Sequence, residues 1–289
     1  RAIRNISRTQ SSLYLYARSE EEGKKPRSAG SIRLATGANE LDIIGCINEA
    51  ASKTISHLNY KPIETGKYLI CFKPEAFLDL IGAFSNIFNA RSIIDGISLS
   101  KMDAIGKSIS VPILNIDDDG LNLNNIGAMP FDGEGTPTKK INLIKNGTIT
   151  NLLHSESTAR VFNTSPTGHA GIGSKVSVGP DWFVISKSKE KKYEVEKLNH
   201  KSHMDTFVLI ENLSALHAGV KPTQGSFSLP FDGWLIKNGE AISIEAATVA
   251  GDIRNVLKGI IEIEKEEIIT HQGISPHIWI DELTVTGEA

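Results

Sequence analysis

The sequence predicts an α+β fold, predominantly antiparallel or mixed β with flanking helices. Three observations carry this. The pentapeptide Leu-Ile-Lys-Asn-Gly occurs twice, at 143–147 and 235–239. Asn-Gly between apolar runs marks a two-residue hairpin, because a type I′ turn needs positive φ at both central positions. From about 105 to 245, strand-like runs alternate with Gly, Asn, Asp and Pro punctuation. Helical periodicity lies at either end of that region, which argues against a doubly wound parallel sheet.

In chain order, 12–16 and 30–34 have strand composition and flank a charged, Pro-containing loop over 19–29. Asn39 is placed to cap a helix over about 40–58, with Ile44, Ile47, Ala51, Ile55 and Leu58 as its buried face. Lys61-Pro62 and Gly66 break that helix, and the chain is divided there. Residues 68–72 read as a buried strand. Pro74 then opens a second helix, with Phe77, Leu80, Ile81, Phe84 and Phe88 on one face. Further on, 155–162 reads as a short helix and 187–201 as a solvated, mixed-charge excursion. Residues 251–265 read as a helix presenting Ile253, Val256, Leu257 and Ile260, and 277–285 as a final strand.

With 289 residues and 40% hydrophobic content, the chain can bury a large core. Its net charge of −3 offers no basic surplus for nucleic acid or anionic lipid. No apolar run approaches the ~18 residues of a membrane span. The two cysteines, Cys46 and Cys71, sit in apolar stretches and read as buried thiols of a reducing compartment. A start at Arg1, without Met, is expected for the continuation of a longer protein.

The residues alone disclose little chemistry. None of the eight histidines lies in HExxH or HExxxH. His200 and His203 have a spacing that suits a metal on a helix, but they adjoin a Lys-rich run and read as surface histidines. Asp117-Asp118-Asp119-Gly120 resembles the start of a calcium loop, yet its twelfth position is Ala128, so a polar turn is favoured. Asp132 and Glu134 fit an acid/base pair. They also fit a turn whose carboxylates accept neighbouring N–H groups, and the turn is favoured. Asn146, Gly147, Asn238 and Gly239 are assigned to structural turns. Residues 167–174 are Gly-rich without completing GxGxxG.

An ordered set of segments adds a resemblance. Phe-Asp-Gly-Glu-Gly-Thr-Pro-Thr (131–138) leads to the first Leu-Ile-Lys-Asn-Gly, Leu152-Leu153-His154 and Thr158-Ala159-Arg160. Ser165-Pro166-Thr167-Gly168-His169-Ala170, Gly225-Ser226-Phe227-Ser228 and the second Leu-Ile-Lys-Asn-Gly follow. Thr248-Val249-Ala250-Gly251-Asp252 and Glu282-Leu283-Thr284-Val285-Thr286-Gly287 close the chain. This order is similar to the TldD/PmbA family, whose proteins are often labelled modulators of DNA gyrase.

The resemblance implies a PmbA/TldD-like fold. Residues 1–62 would end an amino-terminal α/β domain whose upstream segment is missing, and 63–289 would form the β-rich C-terminal domain. It also implies two subunit types. The TldD type carries a zinc site made of HExxxH and a later Cys, while the PmbA (TldE) type lacks these ligands and pairs with it. The equivalent window here falls on Ile81, Gly82 and Asn86, and no Cys follows Cys71. Ile81 cannot ligate zinc and Gly82 cannot act as a base. The chain therefore resembles the PmbA side. No catalytic residue, metal or cofactor is expected in it, and zinc is expected only in a TldD-type partner.

The implied function is that of a non-catalytic subunit in a cytoplasmic zinc metallopeptidase complex acting on unfolded peptides. A TldD-type chain, a second copy of this chain, or both would be its partners. Peptide capture by strand addition makes Pro166, Thr167, Gly168, Gly225, Ser226, Phe227 and Ser228 the candidate binding residues. The same glycines also suit simple turns. A second reading is a protein-interaction module of the gyrase-modulator type with no peptidase role. A third is an independent peptidase with a relocated metal site. The spacing of His154, His169, His200, His203, His217, His271 and His277 predicts no such site.

Overall fold

The computed structural model describes residues 5–190 and 205–287. His200, His203 and most of the expected 187–201 excursion lie outside the described residues. The chain opens with a hairpin, Ser11–Ser19 paired with Arg27–Ala35, whose strands are longer than composition alone marks. Helix Ile43–Ser56 lies against it. The cap is Asp42, which accepts from Gly45 N at 2.9 Å, while Asn39 falls in a 3₁₀ turn just before. The helix buries Cys46, Ala50 and Thr54. Ile44, Ile47 and Ile55, expected inside, are 67%, 42% and 61% exposed. Periodicity identified the helix but not its inner face. Small side chains at i, i+4, i+8 let the backbone approach the hairpin closely, which an isoleucine stripe would prevent.

The strands Gly66–Phe72, Thr206–Leu213, Ser226–Lys237, Ala247–Asp252 and Ile278–Gly287 each pair with two others and close into a ring. One pairing is parallel and four are antiparallel. Closure removes the free edges that an open sheet would present. Along Ser226–Lys237, Phe227, Leu229, Phe231 and Gly233 are buried, whereas Ser228 and Pro230 face outward, the two-residue period of a half-buried strand. A second sheet runs Ile268–Ile269, Gly273–Ser275, Phe183–Lys187, Leu114–Asp118, Ile141–Lys145, Thr148–Ile149. One hydrophobic cluster joins both sheets. Helix Pro74–Ala83 enters this cluster on the expected face, with Phe77, Leu80, Ile81 and the following Phe84 all at most 3% exposed.

Both Asn-Gly pairs adopt left-handed conformations, with φ of 51° and 76° at Asn146 and Gly147 and 51° and 82° at Asn238 and Gly239. The Phe-Asp-Gly segments upstream of them diverge. Phe231-Asp232-Gly233 is barrel strand, where Gly233 lets the Leu209 carbonyl come close. Phe131-Asp132-Gly133 is loop.

The expected helix over 251–265 is short, Ile253–Lys258, and Ile260–Ile263 is a strand paired with Ile278–Ile280. The β-branched run Ile260-Ile261 favours the extended form once Gly259 ends the helix. Cys46 and Cys71 are both free and buried. No helix among the described residues is long and apolar enough to cross a membrane.

Candidate functional site

Three adjoining cavities of about 440, 190 and 470 Å³ form one furrow. The first two share Leu78, Gly82 and Gln272, and the last two share Pro180 and Asp181. Helix Pro74–Ala83 forms the floor at one end. Gly82 faces the opening, and a Cβ built on it meets nothing within 4 Å. Asp79 lies alongside, where burial pushes its carboxyl above the ordinary range.

At the other end stand Asp118, His169 and Asp181. Asp118 is the last residue of Leu114–Asp118 and is fully buried. Its two oxygens accept from Asp181 N at 2.9 Å and Trp182 N at 3.1 Å. The expectation of a polar turn at Asp117–Gly120 is therefore corrected. Leu114, Ile116 and Asp118 alternate on one strand face, so the carboxylate points inward with two core side chains.

His169 Nε2 lies 3.6 Å from Asp118 Oδ1 and 3.9 Å from Asp181 Oδ2. Its Nδ1 bonds Thr167 Oγ1 at 2.9 Å, while that hydroxyl donates to His154 O at 3.2 Å. The hydroxyl proton is thus used, so His169 Nδ1 is the donor and Nε2 faces the carboxylates. The Asp181 carboxyl is raised to about 6, chiefly by burial, with Asp118 and Asp132 adding to the rise and His169 opposing it.

Asp132 positions the strand that carries this group. Its Oδ1 accepts from Glu134 N (3.0 Å) and Thr136 N (2.8 Å), and its Oδ2 from Ala170 N (3.0 Å). Glu134 Oε2 accepts from Glu156 N at 2.8 Å, at the start of helix Glu156–Val161. Thr167 and Gly168 lie at the cluster, and Gly168 has φ 83° with no room for a Cβ beside the Pro137 carbonyl. Pro166 is half-buried and does not line the furrow.

The expected strand edge at 225–228 is closed. Ser226 and Phe227 pair with Val220–Lys221 on one side and with Asp252 and Gly251 on the other. Ser228 pairs with Ala250, and Gly219 packs against its carbonyl. Phe227 is 4% exposed and packs edge-on against Phe84. Gly225 makes the turn into the strand at φ 86°. The furrow instead meets Val220–Lys221, the outer strand beside Ser226–Phe227 among the described residues.

Sequence reasoning also passed over His57. Its Nδ1 meets Ser243 Oγ at 2.7 Å and its Nε2 meets Glu211 Oε2 at 3.0 Å, while Lys73 Nζ binds the other Glu211 oxygen. Ser243 is 1% exposed, so a substrate cannot reach it, and the group works as a tether.

Fold and furrow place the chain among β-rich proteins built on a closed barrel packed with a second sheet. A family model described as the PmbA/TldA metallopeptidase C-terminal domain matches residues 65–287. The chain belongs to the PmbA/TldD family. It is 24% identical over 242 residues to the metalloprotease PmbA of Escherichia coli O157:H7, covering 83% of this chain and 50% of that protein. A PmbA homolog of Buchnera aphidicola subsp. Baizongia pistaciae is 24% identical over 259 residues, 89% of this chain and 55% of the homolog. The chain spans about half the length of these relatives.

Among solved structures, a Thermotoga maritima protein described as a candidate modulator of a DNA gyrase superposes with a TM-score of 0.82 at 27% identity. The match covers 95% of this chain and 62% of that one. TldE from Thermococcus kodakarensis matches with a TM-score of 0.77 at 21% identity, covering 96% and 63%, which is a likeness of fold.

The zinc that the family name implies does not fit the window on helix Pro74–Ala83. Ile81 is 3% exposed and sits in the core. Gly82 offers no donor atom. Asn86 lies beyond the helix end and donates to Ile97 O at 2.7 Å. Cys71 is buried in the barrel strand, and burial pushes its thiol far up, away from the thiolate that zinc requires.

Proposed function

We propose that this chain is the PmbA (TldE)-type, non-catalytic subunit of a cytoplasmic zinc metallopeptidase complex, holding unfolded peptide for a TldD-type chain that carries the zinc. The observation that carries the reading is Gly82. At the place where the resemblance puts the catalytic Glu, the helix exposes a bare glycine to an open furrow. A furrow floored by glycine admits a peptide backbone at close range. The outer strand Val220–Lys221 is the element beside it for strand addition, replacing 225–228 in that role.

The test is a pair of substitutions at Gly82. Gly82→Ala is expected to stabilise the fold by about 0.5–1 kcal/mol, because it removes a helical glycine without a clash. Gly82→Trp places a ring in the furrow. Calorimetric titration with an unstructured peptide is expected to show at least about a tenfold loss of affinity in Gly82→Trp, with the melting temperature nearly unchanged. Equal peptide affinity in wild type and Gly82→Trp would remove the furrow from the function.

A further inference from the structure

We propose that Asp118, His169 and Asp181 form a divalent-cation site, for an ion of the zinc or manganese kind, at the end of the furrow away from Gly82. The ligand atoms of these three residues all lie within 4.8 Å of one another. Donors about 2.1 Å from a tetrahedral ion stand roughly 3.4 Å apart. The imidazole-to-carboxylate separations of 3.6 and 3.9 Å are therefore near those of a metal-bound set. They are too long for hydrogen bonds, so a proton on Nε2 would not satisfy the group.

The decisive observation is His169 itself. The residue is 3% exposed and its Nε2 is buried without a hydrogen-bond partner. Because Nδ1–H is committed to Thr167, the nitrogen facing the carboxylates carries a lone pair. A lone pair aimed at two carboxylates is repulsive unless a cation lies between them. The Thr167 bond is also the outer contact by which metal-binding histidines are oriented, with Nδ1 fixed and Nε2 directed to the ion.

Asp118 is similarly prepared. Two backbone N–H groups hold its carboxylate, and each oxygen keeps a further lone pair. Asp181, whose side chain is 41% exposed, provides the route of entry and leaves coordination positions open to the cavity. Thr138 Oγ1, in the same cavity lining, is a second buried polar atom without a partner. This site shares no residue with the Ile81–Gly82–Asn86 window and does not depend on the subunit reading.

The test uses the full chain alone, stripped with chelator and titrated with Zn²⁺ and Mn²⁺, with Ca²⁺ as the comparison. One equivalent of Zn²⁺ or Mn²⁺ is expected to bind, with Ca²⁺ much weaker because imidazole is a poor ligand for it. His169→Gln is expected to lose about 100-fold or more in affinity, and Asp181→Asn at least about tenfold. In ¹⁵N-histidine spectra, Zn²⁺ is expected to shift the Nε2 resonance of one imidazole, and that shift is expected to vanish in His169→Gln. If the buried His169 variant fails to fold, the half-exposed Asp181→Asn decides. The proposal is overturned if neither ion binds saturably, or if binding is equally tight in Asp181→Asn. No partner chain is present in this test, so its failure leaves the peptidase reading standing, and the converse holds.

Discussion

Replacing Glu211 by Gln is expected to cost about 3 kcal/mol at neutral pH, measured by urea denaturation. The carboxylate lies where three elements meet. Lys73 precedes helix Pro74–Ala83, His57 follows helix Ile43–Ser56, and Glu211 belongs to barrel strand Thr206–Leu213. Burial alone would raise its pKa. The bonds from His57 and Lys73 outweigh burial and hold it at about 2, against an ordinary 4.5. That depression corresponds to about 3 kcal/mol of stability, since one unit is about 1.4 kcal/mol.

The sign follows from proton counting. Between pH 4.5 and 2 the unfolded chain binds a proton at this residue that the folded chain excludes. The contribution is therefore complete above pH 4.5 and lost as pH falls towards 2. The gap between wild type and Glu211→Gln should narrow over that interval. A gap that stays constant with pH would show that the carboxylate's charge is not what the network uses. Truncation to Ala should cost more, because it leaves the Lys73 ammonium and the buried His57 without their acceptor.

Asp132→Ala should be comparably damaging, at about 3 kcal/mol, although Asp132 lies in a loop. Three backbone N–H groups lose a charged acceptor at once, and each such bond is worth about 1.5–3 kcal/mol before water and relaxation recover part of it. The strand carrying His169 and Ala170 would be released from the 132–136 turn. Amide exchange at Ala170 should accelerate with that release, and Asp132→Asn, which keeps an acceptor oxygen, should recover part of the loss. An Asp132→Ala variant with unchanged stability would return this carboxylate to the acid/base role weighed from the sequence.

The fold was legible wherever a local rule has a single solution. Asn-Gly requires left-handed φ, and both hairpins follow. Pro74 and the Phe77–Leu80–Ile81–Phe84 stripe specify a helix and its inner face together. The first helix misled because two stripes compete on it, and the packing distance to the hairpin, which is a tertiary quantity, selects the small one. Ring closure by the parallel pairing of Gly66–Phe72 with Thr206–Leu213 is likewise invisible, since it joins segments far apart in sequence.

The candidate site was only half legible. Gly168 and Thr167 were singled out, but as peptide contacts. Asp118 was dismissed as part of an acidic turn, although the alternation Leu114, Ile116, Asp118 was available to place it inside. Asp181 and His57 carry no local signal at all. Their roles arise from partners 63 and 154 residues away.

The measurement that bears most directly on the central claim is peptidase activity of this chain alone, of a TldD-type chain from the same organism alone, and of the two mixed. The account predicts that the lone chain is inert toward an unstructured peptide and that the mixture cleaves it faster than the TldD-type chain does by itself. Cleavage by the lone chain that is lost in His169→Gln would contradict the account, and would make the relocated metal site a catalytic one.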